Sequence, residues 1–229
     1  MIIAIDGPSG AGKGTVARAV SQALGYRHID TGAMYRAVGW KALHDGVALE
    51  DEPAVATLAE AASLVVEGGV VAIDGHDVTR AIRTPELDKT AAAVARLPRV
   101  RAALVARQRA IGAEGGVVME GRDIGTVVFP DAHLKIYLDA SASERARRRS
   151  NDNAHSISHA GQAAVAAALE ARDRSDTTRT ASPLTVAVDA RVIDTTDMPI
   201  DAVVHAVLDL IEERRIGGQG PRPKDRGPS

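Results

Sequence analysis

The chain opens MIIAIDGPSGAGKGT, and no other stretch of its 229 residues restricts the fold so strongly. A short, largely β-branched run stops at Asp6, and the next seven positions hold three glycines, a proline and then Lys13. Such a segment has too little side chain to pack a core, but it suits a tight loop between a strand and a helix that starts near Gly14. The loop amides would form a nest for polyphosphate oxygens, with the helix N-terminus adding its dipole. Side chains would obstruct that approach, so glycine is wanted at Gly7, Gly10 and Gly12. Lys13 supplies a mobile cation for the terminal phosphates. The stretch satisfies G-x-x-x-x-G-K, yet the Ser or Thr that commonly follows the lysine is replaced by Gly14, with Thr15 one place later. The Mg²⁺ expected in such a loop would then rest on Thr15, on phosphates and on water. An ordinary glycine-rich turn is the bland alternative; the order strand, loop, lysine, helix argues against it.

The rest of the chain repeats this alternation. Short apolar runs at 2–6 (IIAID), 27–30 (RHID), 116–120 (GVVME), 134–139 (LKIYLD) and 191–195 (RVIDT) read as strands. Between them TVARAVSQALG, AMYRAVGWKALHDG, PRVRAALVARQRAIG, ASERARRRS and PIDAVVHAVLDLIEERR carry apolar residues at helical spacing. The expected fold is therefore α/β, with a mainly parallel sheet, helices on both faces, and a ligand site outside the strands' carboxyl ends. Composition agrees: 45% of residues are hydrophobic but only 2% aromatic, so Ala, Val, Leu and Ile must build the core. Such a core suits a parallel sheet under alanine-rich helices. Two stretches break the rhythm. Residues 64–83 hold two glycine turns between extended-looking runs and suggest a small antiparallel insertion. Residues 150–163 are polar and read as mobile, while the Gly- and Pro-rich tail from Gly217 reads as disordered.

Bulk properties narrow the partners. A net charge of −2 argues against a surface built to neutralise a nucleic-acid polymer. The absence of cysteine removes disulfides, thiolate metal sites and cysteine nucleophiles. The first apolar run is too short for a signal peptide, and nothing approaches the ~18 apolar residues of a membrane span. A soluble, cytoplasmic chain with no membrane partner is expected.

A phosphate loop serves switches and motors as well as kinases. The N-K-x-D guanine signature of GTP switches is missing: Asn151 and Asn153 are the only asparagines, and neither precedes a lysine. A kinase needs a second anion site opposite the loop that can be closed against water, and several stretches could supply one. In DTGAMYR (30–36), Asp30 and Thr31 could cap the next helix, and Arg36 falls one turn in, within reach of a phosphate docked at the helix start. In EGRDIGTVVFP (120–130), Arg122 could hold an acceptor phosphate and Asp123 an amino group, or the two could form a structural ion pair. Glu120 is a candidate for orienting water on Mg²⁺. In ARDRSDTTR (171–179), helical spacing would stack Arg172, Asp176 and Arg179 on one face, as a site or as a solvated salt-bridge ladder. ERARRRS (144–150) puts four arginines just before the polar segment, as in a lid whose cations arrive on closure.

With GPSGAGKGT, DTGAMYR, IRTPEL, PRVRAAL, EGRDIGTVVFPDA and R-D-x-x-D-x-x-R in this order from residue 2 to about 211, the chain resembles the bacterial cytidylate kinases, members of the nucleoside monophosphate kinase family. GKGT in place of GK[ST] is usual there. The resemblance implies a phosphate-loop kinase domain over 1–216 with a five-stranded parallel sheet. Its core would be 1–59, 96–147 and 169–216, with a CMP-binding insertion at about 60–95, a lid at about 148–168 and a disordered tail at 217–229. It implies ATP on Gly7, Pro8, Ser9, Gly10, Ala11, Gly12, Lys13, Gly14 and Thr15, with Mg²⁺ beside it. It implies CMP or dCMP as acceptor, with the phosphate on Arg36, Arg122 and Arg179, the ribose on Thr31, Tyr35, Arg172 and Asp176, and cytosine on Arg101 and Asp123. Lys13, Arg122 and Arg179 would carry the catalysis, in a monomer. Relatives often place a serine against the base near residue 92, where this chain has Ala91, Ala92 and Ala93. Cytosine chemistry fits a carboxylate plus a guanidinium, because N4 donates while N3 and O2 accept; uracil would set O4 against the carboxylate. A UMP-directed or dual-specific kinase is the near alternative, and a nucleotide switch or a non-catalytic binding module the distant one.

Overall fold

The computed structural model describes residues 1–151 and 161–217. In chain order the elements are β1 (Ile2–Asp6), α1 (Lys13–Leu24), β2 (Arg27–Asp30), α2 (Thr31–His44), α3 (Glu52–Ala61), β3 (Leu64–Glu67), β4 (Val70–Ile73), β5 (His76–Asp77), α4 (Pro85–Val94), α5 (Pro98–Gly112), β6 (Val117–Gly121), β7 (Leu134–Asp139), α6 (Ala142–Ser150), α7 (Gln162–Thr178), β8 (Arg191–Asp194) and α8 (Ile200–Gly217). A π-helical turn at Ile124–Val128 follows β6. The main sheet is five-stranded and parallel, in the order β2, β6, β1, β7, β8, and the 64–83 stretch folds as the antiparallel trio β3, β4, β5. The five strand runs read from sequence are therefore all present, with β6 shifted by one residue and β8 one residue shorter. Residues 152–160, most of the polar segment at 150–163, and the tail after Gly217 lie outside the described residues, as does the middle of the lid expected at 148–168.

β1 is central, paired with β6 on one side and β7 on the other, which is why its residues must be apolar on both faces. Ile3 and Ile5 pack with Val16 and Val20 of α1 and with Val203, Val207 and Ile211 of α8. Ala4 faces the opposite way, against Ile29, Met119 and Ile124. A third cluster joins α2, α3, α4 and α5 to the small sheet through Val38, Val55, Ile73, Val94 and Leu104. Helix starts follow local chemistry. Asp30 caps α2 through Ala33 N at 2.9 Å, Asp51 caps α3 through Ala54 N at 3.1 Å, and Thr84 caps α4 through Leu87 N at 3.3 Å.

Two glycines of the opening loop answer to backbone geometry. Gly7 has φ 146°, and a Cβ there would lie 2.0 Å from the Leu138 carbonyl oxygen. Its need for glycine thus comes from contact with β7 as much as from any ligand. Gly12, at φ 88°, caps α1 in the left-handed region.

Asp6 ties the sheet to the turn after β6. Its buried carboxylate accepts from Ile124 N at 2.9 Å and Gly125 N at 2.7 Å. Burial pushes this carboxyl up from 3.8 to about 6, against the lowering effect of those two amides. Between about pH 4 and pH 6 the native chain thus holds a proton that the unfolded chain has released, so this group's contribution to stability declines as pH rises through that window. The unfolding free energy of the wild type minus that of Asp6→Asn should fall across the window by about 1.4 kcal/mol per pH unit. Urea titrations at several pH values check this; parallel pH profiles would remove Asp6 as the source.

Candidate active site

A cleft of about 950 Å³ opens at the carboxyl ends of β1, β2 and β6. Ser9, Gly10, Ala11, Gly12, Lys13, Gly14 and Thr15 form one wall; Thr31, Tyr35, Arg36, Arg101, Arg122, Asp123, Arg172, Asp176 and Arg179 line the remainder. The residues singled out from the sequence thus converge here, except Gly7, Pro8, Ala93 and Arg145, which do not line the cleft. Ala91 and Ala92 also line the cleft, giving it an apolar patch.

Lys13 is buried, and its Nζ donates to the Pro8 carbonyl at 2.7 Å. Burial, helped by the nearby Arg122 charge, holds its pKa well below the ordinary lysine value. An anion seated in the loop would oppose both effects. The departure at Gly14 has a steric counterpart: a Cβ there would meet Glu120 Oε1 at 3.1 Å. Glu120 closes the end of β6, bonded to His28 Nε2 at 3.0 Å, and its carbonyl accepts from Thr31 Oγ1 at 2.7 Å. Thr31 therefore anchors α2 to β6, while Asp30 alone does the capping. One carboxylate and the Thr15 hydroxyl beside a phosphate nest suit Mg²⁺, which keeps waters and phosphates in its shell. Among the described residues no cluster of three His, Cys, Asp or Glu side chains forms a complete protein cage for a metal.

The arginines are gathered by carboxylates from separate elements. Arg36 and Arg83 both bind Asp30 Oδ2, at 2.9 and 3.0 Å. Burial works to raise the Asp30 carboxyl, but Arg36 and Arg83 outweigh it and hold it below the ordinary aspartate value. The adjacent Arg122 and Asp123 do not pair with each other in this arrangement. Arg122 Nε bonds Asp176 Oδ2 at 2.8 Å, and Asp123 takes the Arg101 guanidinium. The Arg101 guanidinium carbon lies 5.6 Å from the centroid of the Tyr35 ring, and burial pushes the Tyr35 hydroxyl up to about 12. The single helical face expected for Arg172, Asp176 and Arg179 needs correction. α7 stops at Thr178, and Arg179 is extended at φ −64° and ψ 139°. Its guanidinium turns back to within 3.7 Å of Asp123 and 3.9 Å of Asp176.

Several residues escaped sequence reading. Arg83 and Asp88 belong to IRTPELD, where nothing in the spacing marks them as partners of α2 or α7. Of the four arginines read as lid cations, Arg145 is buried and bonds the Ser9 and Ala140 carbonyls at 3.2 and 3.0 Å, so it buttresses the phosphate loop. Arg147, Arg148 and Arg149 line the cleft from α6, engaged with Glu144, Thr195 and Asp88 respectively. Buried donors remain: Arg36 Nε, Arg101 Nε, Arg172 Nε and Arg179 Nη2 have no hydrogen-bond partner among the described residues. Unsatisfied donors of this kind are costly unless an acceptor meets them.

The family model for cytidylate kinase matches residues 3–213. A curated cytidylate kinase from Pelotomaculum thermopropionicum is 50% identical over 218 residues, covering 93% of this chain and 96% of its own. One from Solibacter usitatus is 46% identical, covering 96% and 95%. Among solved structures, a gluconokinase from Sinorhizobium meliloti 1021 aligns with a TM-score of 0.51 at 14% identity, over 95% of this chain and 96% of that one, a likeness of fold alone. On the family model and these relatives together, the chain belongs to the cytidylate kinase family.

Proposed function

We propose that the chain transfers the γ-phosphoryl group of ATP to CMP or dCMP, giving ADP and CDP or dCDP. The observation that carries this reading is the meeting, in one cleft, of a lysine-bearing phosphate loop with buried arginines that still have unmatched donors. Two anionic substrates fit such a cleft head to head. The loop amides of residues 9–15 and Lys13 hold the donor phosphates. Arg36, Arg122 and Arg179 hold the acceptor phosphate, while Thr31, Tyr35, Arg172 and Asp176 face the ribose. Arg101 and Asp123, joined as a pair, present cytosine with a guanidinium and a carboxylate edge. A pyrimidine-binding role for the 60–95 insertion, a monomeric state and a cytoplasmic location complete the reading.

No general base is needed. The second pKa of a phosphate monoester is ~6, so the acceptor is already largely an oxyanion near neutral pH. Catalysis rests on alignment and on charge: in-line approach of acceptor oxygen to γ-phosphorus, with Lys13, Arg122 and Arg179 stabilising the spreading negative charge. Thr15 and Glu120 are the residues that would hold Mg²⁺ or its waters. That ion would supply positive charge to offset the phosphates' negative charge. Excluding water from the cleft protects the γ-phosphoryl group from hydrolysis.

An ADP-release assay across CMP, dCMP, UMP, AMP and GMP tests the reading: turnover should require CMP or dCMP. Slow ADP release with no acceptor dependence would indicate a switch instead, and binding without turnover a non-catalytic module. Lys13→Ala should lower kcat by about 10²-fold or more while leaving the melting temperature of the free protein nearly unchanged, read by calorimetry. Asp123→Asn should narrow the CMP over UMP preference in kcat/KM by roughly tenfold or more. Equal narrowing by a mutation remote from the cleft would defeat the Asp123 assignment.

A further inference from the structure

We propose that Asp88, on α4, is a positioning residue for the acceptor side of the cleft: it sets the orientation of Arg36 and Arg172 and thereby the affinity for the nucleoside monophosphate. The inference rests on the kinase reading above and deepens it. Asp88 lies in the first turn of α4, behind the Thr84 cap, and its side chain is only 14% exposed. Its Oδ1 lies 3.1 Å from Arg172 Nη1 and 3.7 Å from Arg36 Nη1, while Oδ2 takes Arg149 at the end of α6. One carboxylate thus gathers guanidinium groups from α2, α6 and α7.

Geometry shows why that matters. Arg36 donates through Nη2 to Asp30 at 2.9 Å, and its Nη1 lies 3.7 Å from Asp88, so a carboxylate charge stands beside each terminal nitrogen of its guanidinium. Its Nε remains buried with no hydrogen-bond partner among the described residues, and so does Nε of Arg172. Both arginines therefore stand oriented by carboxylates on one edge with a donor to spare.

Arg172 also faces repulsion. Burial and the neighbouring Arg122 both act against its charge, and Asp88 and Asp176 oppose them. Asp176 is committed to Arg122 at 2.8 Å, which leaves Asp88 as the carboxylate nearest the Arg172 tip. Removing the Asp88 charge would release Arg172 from Arg122 in the direction repulsion dictates, away from the acceptor. Neutral oxygen is a poor substitute, because guanidinium groups collected on one atom pair need a formal charge to stay there.

Steady-state kinetics of the full chain, with CMP and ATP varied separately, test this for wild type, Asp88→Ala, Asp88→Asn, Asp88→Glu, Arg172→Ala and the Asp88→Ala/Arg172→Ala double variant. Asp88→Asn keeps the side chain's shape and guards against a folding artefact in the alanine variant. The KM for CMP should rise about tenfold in Asp88→Ala and Asp88→Asn and be partly restored in Asp88→Glu. The KM for ATP should stay within about twofold, since Arg36 and Arg172 serve the acceptor; melting should fall in both neutral variants, because buried guanidinium groups lose a counter-charge, so the kinetics are read well below the lowered midpoint. The double variant should lose less than the product of the two single losses, because Asp88 acts through Arg172. An unchanged CMP KM, a parallel rise in both KM values, or multiplicative losses would overturn the proposal. Calorimetric Kd values for CMP without donor separate the two ideas: a wild type that binds CMP but transfers nothing sinks the kinase reading while the Asp88 comparison still decides. One that binds no CMP sinks both.

Discussion

Guanidinium groups repel one another, and the architecture of this cleft is organised around holding them together out of water. Arg36, Arg101 and Arg179 are each less than a tenth exposed. Burying such a charge alone costs several kcal/mol. Asp30, Asp88, Asp123 and Asp176 offset that cost, and they come from the end of β2, the start of α4, the turn after β6 and the last turn of α7. The result is a lattice of alternating charge stitched across elements far apart in sequence. Helix positions around the cleft thus depend on electrostatic balance as well as on apolar packing.

How much of this could be read from the sequence depends on whether the cause was local. The phosphate loop was legible because strand, glycines, lysine and helix stand side by side in the chain. The three inner strands β1, β6 and β7 were legible because burial on both faces leaves short apolar runs; the edge strands β2 and β8, less buried, were read from their place between helical patterns. α3 and α4 have equally local signals, Asp51 and Thr84 followed within two residues by proline, yet they are short, alanine-rich segments of ten residues each that went unread. The pairing of charges was not legible. Adjacent Arg122 and Asp123 look like partners on paper, yet each turns to a different distant residue, and only the folded geometry decides which. Arg179 shows the same limit, since helical spacing predicted a shared face that the end of α7 at Thr178 removes.

Gly14 illustrates how a departure from a general pattern can be compensated from elsewhere. The position that elsewhere bears a hydroxyl here leaves space that the Glu120 carboxylate approaches from β6. Glu120 is in turn steadied by His28 on the next strand. Two strands and a helix have to agree for one side chain to be missing.

The strand order sets a ruler for the chemistry. β6 lies between β1, which feeds the phosphate loop, and β2, which feeds α2 and Arg36. Neighbouring strands stand about 4.8 Å apart because amide hydrogen bonds fix their pitch, so the two loops begin roughly 10 Å from each other. No side-chain substitution can stretch or shorten that interval. Evolution of new acceptors on this scaffold must therefore work within a constant gap, altering what grips the ends and leaving the span itself untouched.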